Sequence, residues 1–332
     1  MDKTLTKTKL RPFTLEDAPA VVDLFNAQSQ HLYNRDDCDL DEMLNEWTSP
    51  GFDLDEMSRV VENLDGEVIG YIEVWDTTKP HVIKYVWGTL HPEKWDEEIY
   101  KDMLAWAEDC ARKRIALAPP GTRVIINHGT SDKAHRRIAA LQKSGHKLIR
   151  KFYRMMIEFD EPPQQPALPD VLRIVPIDLE HELKEAIIAL DEGFQDHWGF
   201  VKHSVEEMLE HWQHHINNSK EFDPTLWFLA KDGDQIAGVC RSTGVNKEDP
   251  DLGWVNQLCV LRSWRRQGLG MALLQTAFKE FYQRGKKRVG LGVDSDSLTN
   301  ATRLYEKAGM HATETYHTYE LELRPGKHLM KT

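Results

Sequence analysis

The sequence has little of what marks several classes of protein. Its 332 residues include four cysteines, Cys38, Cys110, Cys240 and Cys259, with no Cys-x-x-Cys pair, so neither a disulfide framework nor a zinc ribbon is indicated. No apolar run approaches the roughly 20 residues that span a bilayer, and the first residues lack the apolar core of a signal peptide. The formal net charge is −12, which argues against a general nucleic-acid binder. We therefore expect a cytoplasmic protein without membrane or nucleic-acid partners.

The sequence does contain an internal repeat. A proline- and acid-rich segment at 158–170 has no apolar periodicity and is typical of an extended linker. On each side the same elements are predicted: a strand and helix, an Asp-Gly hairpin, a strand, a long helix, a strand, a short helix ending at glycine, and a closing strand. The predicted closing strands are KFYRMMIEF and TYHTYELEL. Mixed strands with intervening helices predict an α/β fold with an α+β type of mixed sheet. We predict two tandem domains, 1–157 and 171–332, each a twisted mixed sheet flanked by helices.

A basic turn that contains glycines opens the long helix of the second half. The stretch WRRQGLGMALL, from Trp264 to Leu274, places Gly268 and Gly270 beside arginines at a helix N-terminus. Glycine is a poor helix former and positive charge opposes the helix dipole there, so a bound anion would account for both features. The free N–H groups would point at a phosphate, and the missing side chains would let it approach. Taken alone, the stretch is also explained by a solvated basic turn.

Two later segments bear on the same site. In RVGLGVD, Gly290 and Gly292 face the same side of a strand, which indicates either the close approach of another group or crowding against a helix. In NATRLYEKAGM, Asn300 suits a helix N-cap and Tyr305 lies on the inward stripe. By position alone, Tyr305 is more typical of a core tyrosine than of a catalytic one.

Together these segments resemble a known family. Arg265-Arg266-Gln267-Gly268-Leu269-Gly270 is similar to the acyl-CoA pyrophosphate loop, Q/R-x-x-G-x-G/A, of the GNAT N-acetyltransferases. The segment from Asn300 through Tyr305 to Gly309 is similar to the N-x-x-x-x-Y-x-x-x-G segment that follows it in that superfamily. The resemblance covers most of the second half, from about Val171 to Leu323. The paired arrangement, with FQDHWG at 194–199, resembles mycothiol synthase-like tandem acetyltransferases.

The resemblance implies how acetyl-CoA, the acyl donor, would bind. In the family, the strand before the glycine loop separates from the next strand at a bulge, and the pantetheine arm lies in the gap. Backbone groups at Leu258 and Val260 would bond the arm, a nearby N–H would polarise the thioester carbonyl, and N–H groups from Arg266 to Gly270 would hold the pyrophosphate. The implied cofactor contacts are Leu258, Cys259, Val260, Arg265, Arg266, Gln267, Gly268, Leu269, Gly270, Met271 and Asn300.

The resemblance also implies catalytic roles, of which one is left open. Tyr305 matches the general acid that protonates the departing CoA thiolate. The acceptor amine must lose a proton, and several family members carry a glutamate on the strand before the loop, where this chain has Trp254-Val255-Asn256-Gln257. Asp294 is the nearest acidic alternative for the base and His197 is another, although Asp294 also suits a solvated turn.

The acceptor is expected to be a primary amine of a small molecule or a terminal amine. The candidate residues of its pocket are Phe194, His197, Trp198, Trp254 and Asn256. A histidine cluster at 211–215 has the i, i+4 spacing of metal ligands, but no third ligand is evident, and a solvated helix face is the more usual explanation. No metal is therefore expected. A monomer is consistent with two copies that can pack as a pseudo-dimer.

The first half keeps the apolar pattern and loses the features that would bind the cofactor. Alignment of the two halves by their elements pairs Gly268 with Glu98, Gly270 with Tyr100, Gly290 with Ile125, Gly292 with Asn127, Asn300 with Arg136 and Tyr305 with Leu141. Asp96 and Glu97 add negative charge that would repel a pyrophosphate. The first domain is therefore predicted to be a degenerate copy without acyl-CoA binding, which supports the second domain or shapes its acceptor cleft.

Two other functions are kept open. A chain in which both copies had lost turnover would be a non-catalytic acyl-CoA-binding regulatory protein, which the missing strand glutamate favours and the retained Tyr305 and Asn300 disfavour. An enzyme with a larger acyl pocket would use a longer acyl-CoA. The sequence does not distinguish among acceptor amines.

Overall fold

The chain divides into two compact units. The computed structural model describes residues 8–164, 168, 171–219, 222–244, 249–297 and 300–331. Unit 1 consists of the described residues up to Ile149 together with His317–Leu329, and unit 2 consists of Arg150–Tyr316 with residues 330–331. Each unit is a mixed sheet flanked by helices, so the predicted fold class is confirmed.

Unit 1 is built on an antiparallel meander that ends in a parallel pair. Its strands are β1 (Lys9–Pro12), β2 (Ser58–Glu62), β3 (Val68–Trp75), β4 (Ile83–Leu90) and β5 (Val124–Ser131). Its helices are α1 (Ala18–Tyr33), α2 (Leu40–Trp47), α3 (Leu54–Met57), α4 (Glu97–Lys113) and α5 (His135–Lys143). The strands pair in chain order, antiparallel from β1 to β4 and parallel between β4 and β5.

Unit 2 repeats this pattern. The strands that come after β5 along the chain are β6 (Lys147–Glu158), β7 (Leu172–Pro176), β8 (Trp227–Asp232), β9 (Gln235–Thr243), β10 (Leu252–Val260), β11 (Arg288–Asp294) and β12 (His311–Arg324). The helices are α6 (Leu179–Phe194), α7 (Val205–Asn218), α8 (Leu269–Gln283) and α9 (Ala301–Lys307). Pairing is antiparallel from β7 to β10 and parallel between β10 and β11. Within the described ranges, no helix combines the length and apolarity that crossing a membrane requires.

The two closing strands are exchanged between the halves of the sequence. In unit 2, β6 pairs antiparallel with β11, with Phe152 opposite Asp294 and Glu158 opposite Arg288. In unit 1, the end of β12 lies beside β5. The sequence predicts both strands but assigns each to its own half, with a boundary at 157, whereas the units divide within β6 and within β12.

The predicted linker begins as part of unit 2. Glu158 is the last residue of β6, and the ring of Phe159 packs against Phe278 and Tyr282 of α8, with centroids 5.6 and 6.0 Å apart. Residues 160–164 and 168 belong to no helix or strand, as expected of an extended connection. The rest of the predicted linker, 165–167 and 169–170, lies outside the described residues.

The amphipathic stripe of α8 fixes the position of its N-terminus. The predicted inward residues Leu273, Leu274, Ala277, Phe278 and Phe281 are all buried, in one cluster with side chains from the sheet. The helix ends before Gly285, whose φ of +79° is the left-handed conformation that glycine adopts without strain. Burial of this stripe holds α8 against the sheet and places its first turn just beyond β10.

Candidate active site

The N-terminus of α8 has the form of an anion site. Gly268 is the N-cap residue, and its φ of +83° would strain any other side chain. No side chain in the described part of the chain caps this end, so the first-turn N–H groups are left for solvent or a ligand. These groups and the helix dipole together favour an anion. Gln267 beside them is exposed, and the Leu269 side chain is buried in the core.

Two of the three arginines before α8 are already paired. Asp196 accepts hydrogen bonds from Arg262 and Arg265, and these bonds, chiefly that from Arg262, hold the pKa of Asp196 well below its usual value. Arg265 also donates from Nε to the Val260 carbonyl at 2.9 Å. Its side chain therefore fixes the loop, and its predicted contact with the cofactor stays a prediction. Arg266 is exposed, and within the described chain it has no charged partner, so it is the arginine left for an anion.

β10 leaves β11 halfway along its length. Parallel pairing joins 252–255 to 288–291 and then stops. At the same point the register of β10 with β9 shifts between Val255 and Gln257. This shift marks a bulge at Asn256, which bends the strand. The result is a gap between β10 and β11 of the kind that the family resemblance implies.

One edge of the gap presents backbone polar groups. The Leu261 N–H donates to the Ala237 carbonyl of β9 at 2.9 Å. Because successive residues of a strand point their backbone groups to opposite sides, Leu258 and Val260 direct theirs toward the gap. By the same alternation the backbone groups of Cys259 face β9, and its Sγ lies 3.7 Å from the Ala189 carbonyl of α6. Neither the backbone groups nor the side chain of Cys259 therefore faces the gap.

The two glycines of β11 have different surroundings. A Cβ at Gly290 would lie 2.4 Å from the Trp254 ring and 2.6 Å from Met156 Sδ, so crowding requires this glycine. A Cβ at Gly292 would meet no described atom within 4 Å. Of the two explanations left open by the sequence, crowding therefore applies to Gly290, and open access applies to Gly292.

A cavity of about 200 Å³ in unit 2 borders the gap between β10 and β11. The sequence-predicted residues that line it are Phe194, His197, Trp198, Asn256, Leu258, Asp294 and Tyr305. Phe152 and Ser297 also line it and were not singled out. The structure thus brings the predicted acid, both candidate bases and four of the five residues of the predicted acceptor pocket, His197 being both, around one cavity.

Tyr305 lies on α9 and faces this cavity while remaining 7% exposed. Its hydroxyl makes no hydrogen bond to another described residue. Burial raises the pKa of Tyr305 well above its usual value. The phenol therefore stays protonated near neutral pH and can donate a proton to an anion in the cavity.

Asp294 is held by an arginine that sequence reasoning missed. Arg150 Nε lies 2.9 Å from Oδ1 of Asp294, and its Nη2 lies 2.8 Å from Oδ2. The guanidinium also lies 5.5 Å from the Trp198 ring centre. Both carboxylate oxygens of Asp294 are therefore engaged by Arg150, which leaves this side chain committed to an ion pair. Arg150 stands in the basic segment LIRKFYR and is 144 residues from its partner, so no local pattern identifies it.

His197 has the better surroundings for a base. Its ring packs on Phe194, with centroids 4.5 Å apart. Burial lowers the pKa of His197, and the negative charge of Asp294 opposes this only in part. A neutral imidazole therefore faces the cavity near pH 7, as a proton acceptor requires.

Two predicted residues lie outside the lining of this cavity. Trp254 covers Gly290, and the Arg154 guanidinium lies 4.8 Å from its ring centre, so its predicted place in the acceptor pocket gains no support from this cavity. Asn300 is the N-cap residue of α9, as predicted, but it is exposed with φ +56°, and no cap bond from its side chain is found in the described chain. The structure therefore gives no support to its predicted contact near the reacting end of the cofactor.

Unit 1 closes the equivalent helix end with a carboxylate. Asp96 is the N-cap residue of α4 and accepts the N–H groups of Glu98 at 2.9 Å and Ile99 at 3.1 Å. These groups are the counterparts of those that stay uncapped in α8. The N-cap positions equate Asp96 with Gly268, two residues from the sequence alignment, which had placed Glu98 there. The predicted negative charge is present at the start of α4, and the Asp96 carboxylate that carries it accepts hydrogen bonds from the N–H groups.

Unit 1 also fills the equivalent strand gap. Parallel pairing of β4 and β5 ends at Val86–His128, as that of β10 and β11 ends at Val255–Leu291. By this register Gly129, not Asn127, corresponds to Gly292. The Trp87 ring lies 2.9 Å from the position of a Cβ on Gly129, so it occupies the space that is open beside Gly292.

Known proteins share this architecture. The acetyltransferase (GNAT) family model matches residues 188–310, which lie within unit 2. A GCN5-related N-acetyltransferase from Sphaerobacter thermophilus is 28% identical, with 97% of this chain and 98% of that chain covered and a TM-score of 0.80. A tandem GNAT protein from the clavulanic acid biosynthesis pathway shares the fold at 15% identity, with 97% and 100% covered and a TM-score of 0.72. A putative acetyltransferase from Pyrococcus horikoshii shares it at 11% identity, with 99% and 95% covered and a TM-score of 0.59. No curated protein sequence matches the chain significantly.

Proposed function

We propose that this chain is a tandem GNAT acetyltransferase and that its unit 2 transfers an acetyl group from acetyl-CoA to a primary amine of a small molecule or to a terminal amine. The family match within unit 2 supports acyl-CoA-dependent acetyl transfer in general, and the choice of unit and acceptor is our inference. The observation that carries it is the uncapped start of α8 at Gly268, next to a strand gap that borders the cavity of Tyr305.

The donor would bind along the gap between β10 and β11. The N–H groups from Arg266 to Gly270 would hold the pyrophosphate, with the Arg266 side chain as the nearby cation. The pantetheine arm would add to the free edge of β10, where Leu258 and Val260 offer backbone groups. Gly292 leaves room for it, because no described atom fills the place of its side chain. The acetyl group would then enter the cavity beside Tyr305.

The reaction would be direct transfer with two proton movements. The amine nitrogen bonds to the thioester carbonyl carbon and gives its proton to His197. The carbon–sulfur bond breaks, and the departing thiolate takes a proton from Tyr305. Solvent then returns a proton to Tyr305 and removes one from His197. The products are the N-acetylated amine and free CoA.

The cysteines of unit 2 support direct transfer over a cysteine-bound acyl intermediate. Cys240 is fully buried and Cys259 is 5% exposed. Burial raises the pKa of each thiol to about 12. The thiolate is the nucleophilic form of cysteine, and very little of it exists at neutral pH in these surroundings.

The test of the donor site uses two glycines at opposite ends of α8. Gly268 and Gly285 have φ of +83° and +79°, and a Cβ at either would meet no described atom within 4 Å. The variants Gly268→Asp and Gly285→Asp therefore introduce the same strain and the same charge. Only Gly268→Asp places a carboxylate at the start of α8, where its negative charge would repel the pyrophosphate, so calorimetric titration with acetyl-CoA should lose binding in Gly268→Asp and keep one site per chain in Gly285→Asp.

Other results would contradict this assignment. A second acetyl-CoA site, or one that survives Gly268→Asp, would place donor binding in unit 1. Absence of binding by the unaltered chain would remove the acetyltransferase proposal. With the donor site established, a panel of amines assayed by release of free CoA thiol identifies the acceptor. In that assay Tyr305→Phe should keep acetyl-CoA affinity and lose at least about 100-fold in kcat.

A further inference from the structure

Unit 1 contains a cavity of its own, of about 230 Å³. It lies among the C-terminal half of α1, the turn before α4 and the start of α5. The lining residues are Gln28, His31, Leu32, Pro92, Trp95, Lys133, Ala134, His135, Arg136 and Arg137. The proposed acetyl transfer in unit 2 uses none of them.

Three cations line this cavity without a carboxylate. Lys133, Arg136 and Arg137 all contribute, and no aspartate or glutamate belongs to the lining. Within the described residues none of the three forms an ion pair, in a chain of net charge −12. Elsewhere in unit 1, by contrast, Arg11 and Arg123 are bonded to carboxylates.

The contacts of these cations are weak or incomplete. The Lys133 ammonium lies 4.7 Å from the Tyr33 ring centre, and Arg136 Nη1 lies 3.5 Å from the Pro92 carbonyl. Arg137 Nη2 donates to Thr89 Oγ1 at 2.8 Å, but its Nε is buried and has no partner among the described residues. A buried donor without a partner costs free energy, so an acceptor in the cavity would stabilise this group.

The backbone adds to the positive potential. α5 has nine residues, its N-cap is Ala134, and no side chain caps its start in the described part of unit 1. The His135 N–H donates to the Lys133 carbonyl at 2.9 Å, and the remaining first-turn N–H groups and the positive end of the helix dipole lie beside the three cations, which is unfavourable unless an anion is present. The helix end thus adds to the positive potential that the three cations produce.

The lining also contains apolar side chains. These are Leu32, Pro92, Ala134 and the half-buried Trp95, whose ring lies 4.8 Å from that of Tyr100. An indole edge or face of this kind suits a flat ring. We propose that this cavity binds a phosphate monoester that carries a planar ring, of the nucleoside monophosphate class. A phosphate monoester carries about −1.5 to −2 charges at pH 7 and three acceptor oxygens, which matches three cations better than a carboxylate does.

The acyl donor does not suit this cavity. Asp96 occupies the N–H groups of α4 with its carboxylate, and Trp87 fills the gap beside Gly129 where a pantetheine arm would have to lie. The proposal therefore adds a second ligand to the protein, and it does not depend on which amine unit 2 acetylates.

The test is calorimetric titration of the full chain with AMP, adenosine and inorganic phosphate. The test variant is Lys133→Gln/Arg136→Gln, in which both side chains are exposed, so the fold should be kept. The matched control is Lys143→Gln/Lys147→Gln, which removes the same charge from exposed positions beyond the cavity. Gly268→Asp serves as a second control, because it blocks the proposed donor site in unit 2.

We expect AMP to bind one site in the unaltered chain, in Lys143→Gln/Lys147→Gln and in Gly268→Asp. Loss of two charge-assisted contacts should weaken AMP at least about tenfold in Lys133→Gln/Arg136→Gln. Adenosine should not bind, and inorganic phosphate should bind more weakly than AMP. AMP binding that is absent, unchanged in the double variant or lost in Gly268→Asp would overturn the proposal, as would phosphate binding as tight as AMP.

Discussion

At the scale of single residues, two side chains of the unit 2 cavity could accept the proton of an amine, and their surroundings separate them. Arg150 holds the Asp294 carboxylate through both of its oxygens. Burial against Phe194 keeps His197 neutral instead. We therefore propose His197 as the base, where the sequence alone leaves both residues as candidates.

The pH dependence of turnover tests this assignment. The rate should fall as the pH falls through the pKa of His197, which burial holds below about 6.5, because protonated imidazole cannot accept a proton. His197→Asn should remove this acidic limb and lower kcat by at least about 100-fold, with the affinity for acetyl-CoA unchanged. The measurement is the pH profile of kcat for both proteins. Asp294→Asn is the comparison and should keep the acidic limb. If Asp294→Asn loses the acidic limb and His197→Asn keeps it, Asp294 and not His197 would be the base.

The sequence predicts site residues that belong to a local motif. It does not predict residues whose role depends on a partner far away along the chain. Gly268 and Tyr305 are predictable because a helix start and a helix stripe place them within a few residues of recognisable signals. Asp196 and Arg150 are not, because the first anchors a loop about 66 residues ahead and the second holds an aspartate 144 residues ahead. Charge pairs of this kind follow from the fold, and spacing along the chain does not reveal them.

At the scale of elements, β11 combines a crowded glycine and an open one two residues apart. Both face the same side of the strand, so their different surroundings come from β10. Trp254 covers the first, and the bulge at Asn256 carries β10 away before the second. A single strand therefore both completes the core and lines the proposed donor channel.

Substitution of the two glycines should separate stability from binding. Gly290→Ala places a methyl group 2.4 Å from the Trp254 ring and should lower the free energy of unfolding by about 1–3 kcal/mol. Gly292→Ala should leave stability unchanged, because its Cβ enters open space. Gly292→Leu should keep the fold but fill the gap and weaken acetyl-CoA at least about tenfold. Urea denaturation and calorimetry provide the two measurements, and normal acetyl-CoA affinity in Gly292→Leu would show that the donor lies elsewhere.

Element types follow from periodicity, but strand partners do not. The alternation in KFYRMMIEF and TYHTYELEL predicts two strands with one buried face each. It does not specify which sheet each strand joins, because both edges accept the same pattern. The prediction of each closing strand within its own half was therefore reasonable from local sequence and wrong in the structure.

At the scale of the whole molecule, the exchanged strands determine which fragments can fold. Unit 2 needs β6, which the predicted domain 171–332 lacks. A fragment that starts at Arg150 retains β6 beside β11 and the entire proposed donor site. The two fragments thus differ by one strand, β6, which lies between β12 and β11.

We expect fragment 150–332 to unfold cooperatively and to bind acetyl-CoA. Fragment 171–332 should leave the edge of β11 unpaired and its apolar residues exposed, and it should aggregate or unfold without a cooperative transition. Circular dichroism during urea titration measures the first property, and calorimetry measures the second. Equal stability of the two fragments would mean that β6 is dispensable for unit 2.

The strand exchange also bears on how such a gene can change. After duplication of a self-contained domain, either copy can decay and be deleted without harm to the other. Once the last strands are exchanged, deletion of one copy removes a structural part of its neighbour, so both copies are kept under selection for folding. The cleft of the first copy is then free to change its ligand, which is how we interpret Asp96 and Trp87, while its scaffold is preserved as a place where a new specificity can arise.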